Sequence, residues 1–291
     1  MGGPQLQNRA LPGFTPEQIP AGATFSKFTP PATTGLGFLE LVSDADILSM
    51  SDPNDINADG ISGVPNWISL PSFISPFANA ISQNGRYIHR FGKKAAAYNL
   101  LHQTVNAYNQ DIGITSTFAP KDVYSGLDID PEVSNQTVHN VVFYLQTLKA
   151  PIQRNQNDAE VILGKNSFIQ AGCESCHKQT LTTGVSNIAP LSNKTFHPYT
   201  DLLLHDMGPG LNDNYTEGNA KTFEWRTPPL WGLGLSPNSQ GGQYFLMHDG
   251  RAKSIEEAIL LHGGEAAASK NKFNQMSAAE KNNFLKFLKS L

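Results

Sequence analysis

The chain has 291 residues, 25 of them acidic and 21 basic, and a net charge of -4, long enough for two units that each bury a core. Its scattered lysines and slight acidity exclude a nucleic-acid partner, and no apolar run reaches the roughly eighteen residues of a membrane span. With 25 glycines, 19 prolines and only 16% charged residues, long ordered loops wrapped on a limited set of helices are expected.

The opening residues Met1, Gly2, Gly3, Pro4 and Gln5 supply neither a basic nor an apolar stretch, so no signal peptide is expected within this chain. Asp55-Ile56-Asn57-Ala58-Asp59-Gly60-Ile61-Ser62-Gly63 follows. Asp55, Asn57 and Asp59 place side-chain oxygens at alternate positions, Gly60 supplies the turn and Ile61 a backbone carbonyl, as a calcium loop requires. Asn66 stands where such a loop has a bidentate glutamate, and a metal-free loop closed by Asx turns is the alternative. Further on, Asp130-Pro131-Glu132 reads as the first turn of a helix that carries His139 and ends near Leu148. Pro151 and the polar stretch 153–158 close that unit, which puts a domain boundary between residues 152 and 153.

Both cysteines of the chain lie in Cys173-Glu174-Ser175-Cys176-His177. Two thiols three positions apart can add to the two vinyl groups of one porphyrin, with His177 falling under the iron, so the run reads as a c-type haem attachment site. A structural zinc site would need four closed ligands, and no third cysteine exists. A thioredoxin-like pair would need a βαβ context, whereas helix precedes this run and loop follows it. Toward the end, Ser254 to Glu257 and Ser277 to Glu280 form S-x-x-E starts of helices, and His262 falls at the end of the first of these before Gly263 and Gly264. His89, His102, His139 and His197 read as surface or satisfied core residues. Lys281, Lys286 and Lys289 read as the solvated face of the last helix. Neither half shows a run of alternating strands, so the expected fold is mostly α with much irregular loop.

Four stretches carry a family resemblance: YTDLLLHDMGPG at 199–210, EWRTPPLWGLG at 224–234, MHDGR at 247–251 and LHGGEA at 261–266. Together with the C-x-x-C-H run, in this order, they resemble the di-haem oxidoreductases, also called thiol oxidoreductases, a group related to bacterial di-haem cytochrome c peroxidases and MauG. The resemblance implies two cytochrome c-like helical units, 1–152 without an attachment motif and 153–291 with one covalent haem c. In the relatives a histidine-aspartate-glycine turn precedes the distal ligand of the C-terminal haem by fourteen residues, and counting from His248 reaches His262. His262 is therefore expected opposite His177 on the iron.

The resemblance also places His205 and His248 in the pocket, at a haem propionate or ordering the ligand loop. Arg226 and Arg251 are expected near the propionates, since a guanidinium offers two parallel charge-assisted hydrogen bonds, and Trp225, Trp231 and Tyr244 are expected to pack on the ring. Relatives carry a first C-x-x-C-H upstream of the segment matching residues 4–10, so the chain reads as the family minus that segment, by truncation or by loss. The implied function is an extracytoplasmic, for example periplasmic, c-type haem oxidoreductase whose bis-histidine haem relays electrons to or from a donor or acceptor protein. The alternatives are a mono-haem electron carrier without catalysis and a haem-free interaction module.

Overall fold

The computed structural model describes residues 5–6, 10, 12–13, 15–16, 18–123 and 125–291. The readings at residues 1–4, and most of the 4–10 match, lie outside them. In chain order the elements are α1 (Leu36–Glu40), α2 (Asp44–Ser49), β1 (Asn66–Ile68), β2 (Ser82–Gln83), β3 (Arg86–His89), α3 (Leu100–Asn106) and α4 (Asn135–Thr147). Then follow α5 (Ala159–Ala171), β4 (Leu181–Thr182), β5 (Thr195–Phe196), β6 (Leu204–Asp206), β7 (Glu224–Arg226), α6 (Ser236–Ser239), α7 (Ile255–Leu261), α8 (Ala267–Gln275) and α9 (Ala278–Ser290). Among the described residues helix takes about 35% and strand about 11%. The expectation of a mostly α fold thus holds only in part: helices are the main regular element, but irregular backbone outweighs them.

Among the described residues two large apolar cores form, beside a small cluster of Ala95, Leu204 and Ala220. The first gathers Leu39, Ile47, Ile88, Phe91, Leu100, Val105, Val138 and Val142, and it draws in Phe196, Leu202, Leu203 and Trp231 from later in the chain. Its polar seams are closed by buried groups. Arg90 forms an ion pair with Asp44 and donates to the Val42 carbonyl at 2.5 Å. Glu40 accepts from the Leu100 backbone N–H and the Gln146 amide, both at 2.7 Å, which ties α1 to α3 and α4. The helix carrying His139 starts later than expected. Ser134 caps it by accepting from the Thr137 N–H at 3.1 Å, while Glu132 and Val133 are held outside by the Thr115 carbonyl.

The second core is α5 packed on α9, with Val161, Phe168, Ala171, Phe273, Phe284, Phe287 and Leu288. Ser277 and Glu280 form a full reciprocal capping box, so the start of α9 is fixed by its own sequence. Ser254 caps α7 in one direction only, because the Glu257 carboxylate takes the Lys253 N–H instead. Lys286 does not simply face solvent: it pairs with Asp158 and Glu160 at the start of α5. The β6–β7 pair brings His205 opposite Trp225 and Leu204 opposite Arg226, and Val64 bridges to Leu204. The loop from 55 to 63 is thereby pinned beside β6.

Gly164 lets α5 and α9 touch. A Cβ there would stand 1.9 Å from the Asn283 carbonyl oxygen and 2.8 Å from the Phe287 Cβ. Alanine is the better helix former by about 1 kcal/mol, yet Gly164→Ala is expected to destabilise the protein by about 2 kcal/mol or more, because a packed helix pair must separate. Urea unfolding measures the sign, and a stabilised variant would show that the helices are not in close contact.

Candidate functional site

α5 ends at Gly172 in the left-handed conformation, φ 85°, and the chain turns at once into a single 3₁₀ turn, Cys173–Ser175, closed by the Cys176 N–H on the Cys173 carbonyl, which also accepts from the His177 N–H at 3.0 Å. This brings Cys173, Cys176 and His177 to the wall of one cavity of about 380 Å³. His262, His205, His248, Arg226, Trp231 and Trp225 line the same cavity. Of the pocket residues expected from sequence, Arg251 and Tyr244 are outside that wall: the Arg251 guanidinium holds Asp249 at 2.8 Å and the Gly210 carbonyl at 3.1 Å, and Tyr244 packs against the second core.

The two candidate ligands are prepared in the same way. His177 Nδ1 lies 3.0 Å from the Tyr199 carbonyl and His262 Nδ1 lies 2.7 Å from the Ala258 carbonyl. A carbonyl only accepts, so each Nδ1 carries the proton and each Nε2 keeps its lone pair, the tautomer that a metal-binding imidazole needs. Burial pushes the His177 ring down to about 4, with the nearby His262 ring adding to the effect, and burial lowers His262 too. Both are neutral at physiological pH. Burial also pushes the Cys173 thiol up to about 12 and raises Cys176, so both thiols stay protonated.

The backbone that presents these groups is strained. Tyr199, Leu202 and Met247 all have φ between 57° and 69°, a region that costs a bulky residue on the order of 1–3 kcal/mol. All three flank the cavity loops, and Tyr199 uses that conformation to aim its carbonyl at His177. His262 ends α7 itself by turning extended, ψ 135°, so the expected Gly-Gly cap is not the stop. Gly264 instead permits a close crossing of two segments, for at φ +52° a Cβ added to it would lie 2.1 Å from the Asp206 carbonyl oxygen. Only glycine lets this turn cross the end of β6.

That crossing delivers Glu265, which sequence reasoning did not single out. His205 is clamped by Asp201 at Nε2, 2.9 Å, and by Glu265 at Nδ1, 2.6 Å, with Cys176 Sγ at 3.5 Å. Because both carboxylates can only accept, both ring nitrogens are protonated. Burial opposes that charge, but Asp201, Cys176 and Glu265 raise the ring well above its ordinary value. Glu265 is opposed by burial as well, yet His205 and the Ser62 hydroxyl hold it down at about 2. Cys176, Asp201 and His205 are the one His/Cys/Asp/Glu group among the described residues close enough to share a metal ion. A doubly protonated imidazole has no lone pair to offer, so the cluster is an ion-pair clamp.

Elsewhere, His248 stacks on Trp225 at 3.7 Å and 6°, and the Trp225 N–H donates to the Leu211 carbonyl at 2.9 Å. The calcium-like loop closes with its own turns. Asn57 and Asp59 accept from the N–H groups of Asp59 and Ile61 at 2.9 Å, and Asp55 accepts from Gly60 at 3.1 Å. Its acidic groups are not gathered into a shared site. The loop serves the cavity instead: Ile61 lines it and Ser62 donates to Glu265 at 2.6 Å.

A chain with two thiols, two neutral tethered imidazoles and an apolar cavity between them has the donor set of a covalent haem pocket, and these residues fit that group. The family model described as "Di-haem oxidoreductase, putative peroxidase" matches residues 26–291, and the chain belongs to this family. Among solved structures, a chain of Kuenenia stuttgartiensis hydrazine synthase, studied under 20 bar xenon, aligns over 100% of both chains with 15% identity and a TM-score of 0.37. No curated protein matches the chain.

Removing one partner of the clamp leaves a buried charge, so Glu265→Gln is expected to cost about 3–5 kcal/mol at pH 6. Glu265 has a depressed native value of about 2 against an ordinary 4.5. Its stabilisation is therefore complete above pH 4.5 and is lost as pH falls toward 2. His205, with a raised native value, contributes fully below its ordinary 6.5 and loses that contribution only as pH rises through its elevated range. Denaturant titrations from about pH 3 to about pH 7 should show the gap between wild type and Glu265→Gln shrinking on the acid side. A gap independent of pH would mean that the contact is not ionic.

Proposed function

We propose that this chain is an extracytoplasmic c-type haem oxidoreductase in which one haem, tethered at Cys173 and Cys176 and held between His177 and His262, relays electrons to or from a partner protein. The observation that carries this reading is the matched pair of imidazoles: both line the cavity that contains both thiols, and each has its Nδ1 proton tied to a backbone carbonyl. The haem would supply reversible one-electron transfer. The chain's own residues do the rest. Tyr199 and Ala258 fix the ring tautomers and orientations, the apolar walls exclude water, and the neutral state of both rings leaves no proton to displace at Nε2.

Met207 and Met247 also line the cavity. What favours His262 over either is its tether and its electrostatic proximity to His177. The two separate cores support a division into units 1–152 and 153–291, with loops of the second filling part of the first. Thioether attachment takes place outside the bacterial cytoplasm, which underlies the extracytoplasmic assignment.

A second reading, a mono-haem electron carrier without catalysis, is favoured by one fact: two cysteines make one attachment site, and two histidine ligands leave that iron no open position for peroxide.

After co-expression with a cytochrome c maturation system, a pyridine haemochrome assay should count one haem per chain; a count of zero removes both readings. His262→Met should raise the midpoint potential and introduce a sulfur-to-iron absorption band. The same band in the wild type would hand the sixth position to Met207 or Met247. Turnover of hydrogen peroxide with a reduced donor separates oxidoreductase from carrier.

A further inference from the structure

Lys93 and Lys94 are neighbours, the first half-buried and the second fully buried, and only Lys94 finds partners. Lys94 Nζ donates to the carbonyls of Lys221 and Glu224 at 3.0 Å and of Thr222 at 3.3 Å, lies 3.8 Å from Asp213, and sits 3.7 Å from the centre of the Trp225 ring. Lys93 instead lines the cavity. Among the described residues its ammonium has no hydrogen-bond acceptor and no carboxylate within ion-pair distance.

Arg226 stands beside it on the same wall. Its backbone N–H donates to the Lys93 carbonyl at 2.9 Å, its Nε to the Gly92 carbonyl at 2.8 Å and its Nη1 to the Thr227 carbonyl at 3.0 Å. No carboxylate pairs with it among the described residues. Burial, with the Arg226 charge adding to it, lowers Lys93 to about 8, and burial lowers Arg226 to about 10. Two acids exert a distant pull, but Asp249 is engaged by Arg251 and Asp201 by His205. Two half-buried like charges facing one cavity without a carboxylate partner repel each other unless anions complete the site.

We propose that Lys93 and Arg226 form a two-cation cradle for the carboxylate side chains of the porphyrin, so that the N-terminal half of the chain grips a haem tethered in the C-terminal half. This rests on the haem reading above. A porphyrin bonded through its vinyl groups carries its two propionates on other pyrroles, free to meet cations, and a guanidinium beside an ammonium offers one partner to each. Arg226 is anchored at Nε and Nη1, which makes it a rigid member. Lys93 is the adjustable one.

The test uses the matured, haem-loaded protein. Resonance Raman spectra report the propionate bending mode, which follows hydrogen bonding to those carboxylates. Lys93→Gln should shift this mode to lower frequency while the bands that report axial ligation stay in place, Lys93→Arg should restore it, and Lys281→Gln should leave it unmoved. An unchanged mode in Lys93→Gln overturns the cradle and leaves the haem reading standing, whereas a wild type without haem overturns both. Should Lys93→Gln fail to mature, redox-difference infrared spectra of the wild type decide the matter. Ionised propionates at neutral pH are expected, and a protonated carboxyl band overturns the cradle.

Discussion

A buried, protonated imidazole held between the buried carboxylate of Asp201 and the half-buried one of Glu265 is the interaction on which the rest of the cavity depends. His205 sits on β6, Asp201 on the loop that follows the C-x-x-C-H run, and Glu265 on the turn after α7. Ser62 joins from the loop of the first half through the same glutamate. One cation therefore fixes three segments that are far apart in sequence, beside Cys176. The cluster is strong because the His205 and Asp201 charges have lost their water and are partnered, and fragile for the same reason, since no member can leave without stranding a buried charge.

The frame sets the geometry of the two histidines proposed as ligands. Tyr199 lies two residues before Asp201, and its left-handed backbone aims a carbonyl at His177. His262 lies three residues before Glu265, at the point where α7 breaks. A strained loop on one side and a broken helix on the other persist because the clamp and the packing of α5 on α9 over-determine them. Electrostatics gives the parts of the cavity wall different roles. The ring nitrogens are kept neutral and the thiols protonated by burial, His205 is charged and balanced, and Lys93 with Arg226 are charged and unbalanced. Lys93 and Arg226 mark the part of the wall where the charges have no carboxylate partner among the described residues.

Much of the site was legible in the sequence because its chemistry is local. The spacing of Cys173, Cys176 and His177 marks a candidate attachment site without any fold, and Ser277 with Glu280 announces the start of α9 through hydrogen bonds that reach only one turn. His262, His205, His248, Arg226 and Trp231 came from motif order, and the cavity gathers all of them. Arg251, expected beside the porphyrin, turns its guanidinium onto Asp249 two residues away and lies off the cavity wall. The calcium pattern at Asp55, Asn57 and Asp59 is equally a pattern of Asx turns, and the backbone amides of the loop took those oxygens.

What the sequence determined by itself is the set of groups whose meaning lies within a few residues: the thiol pair with its histidine, the capping of the last helix and the absence of a membrane span. Only the tertiary structure decided which distant charges meet. Asp201 and Glu265 converge on His205, with Ser62 holding the glutamate, and Lys94 is satisfied while Lys93 is left facing the cavity, although the two lysines are adjacent in the chain. Burial and long-range pairing set the worth of a charge, and neither can be read from spacing along a sequence.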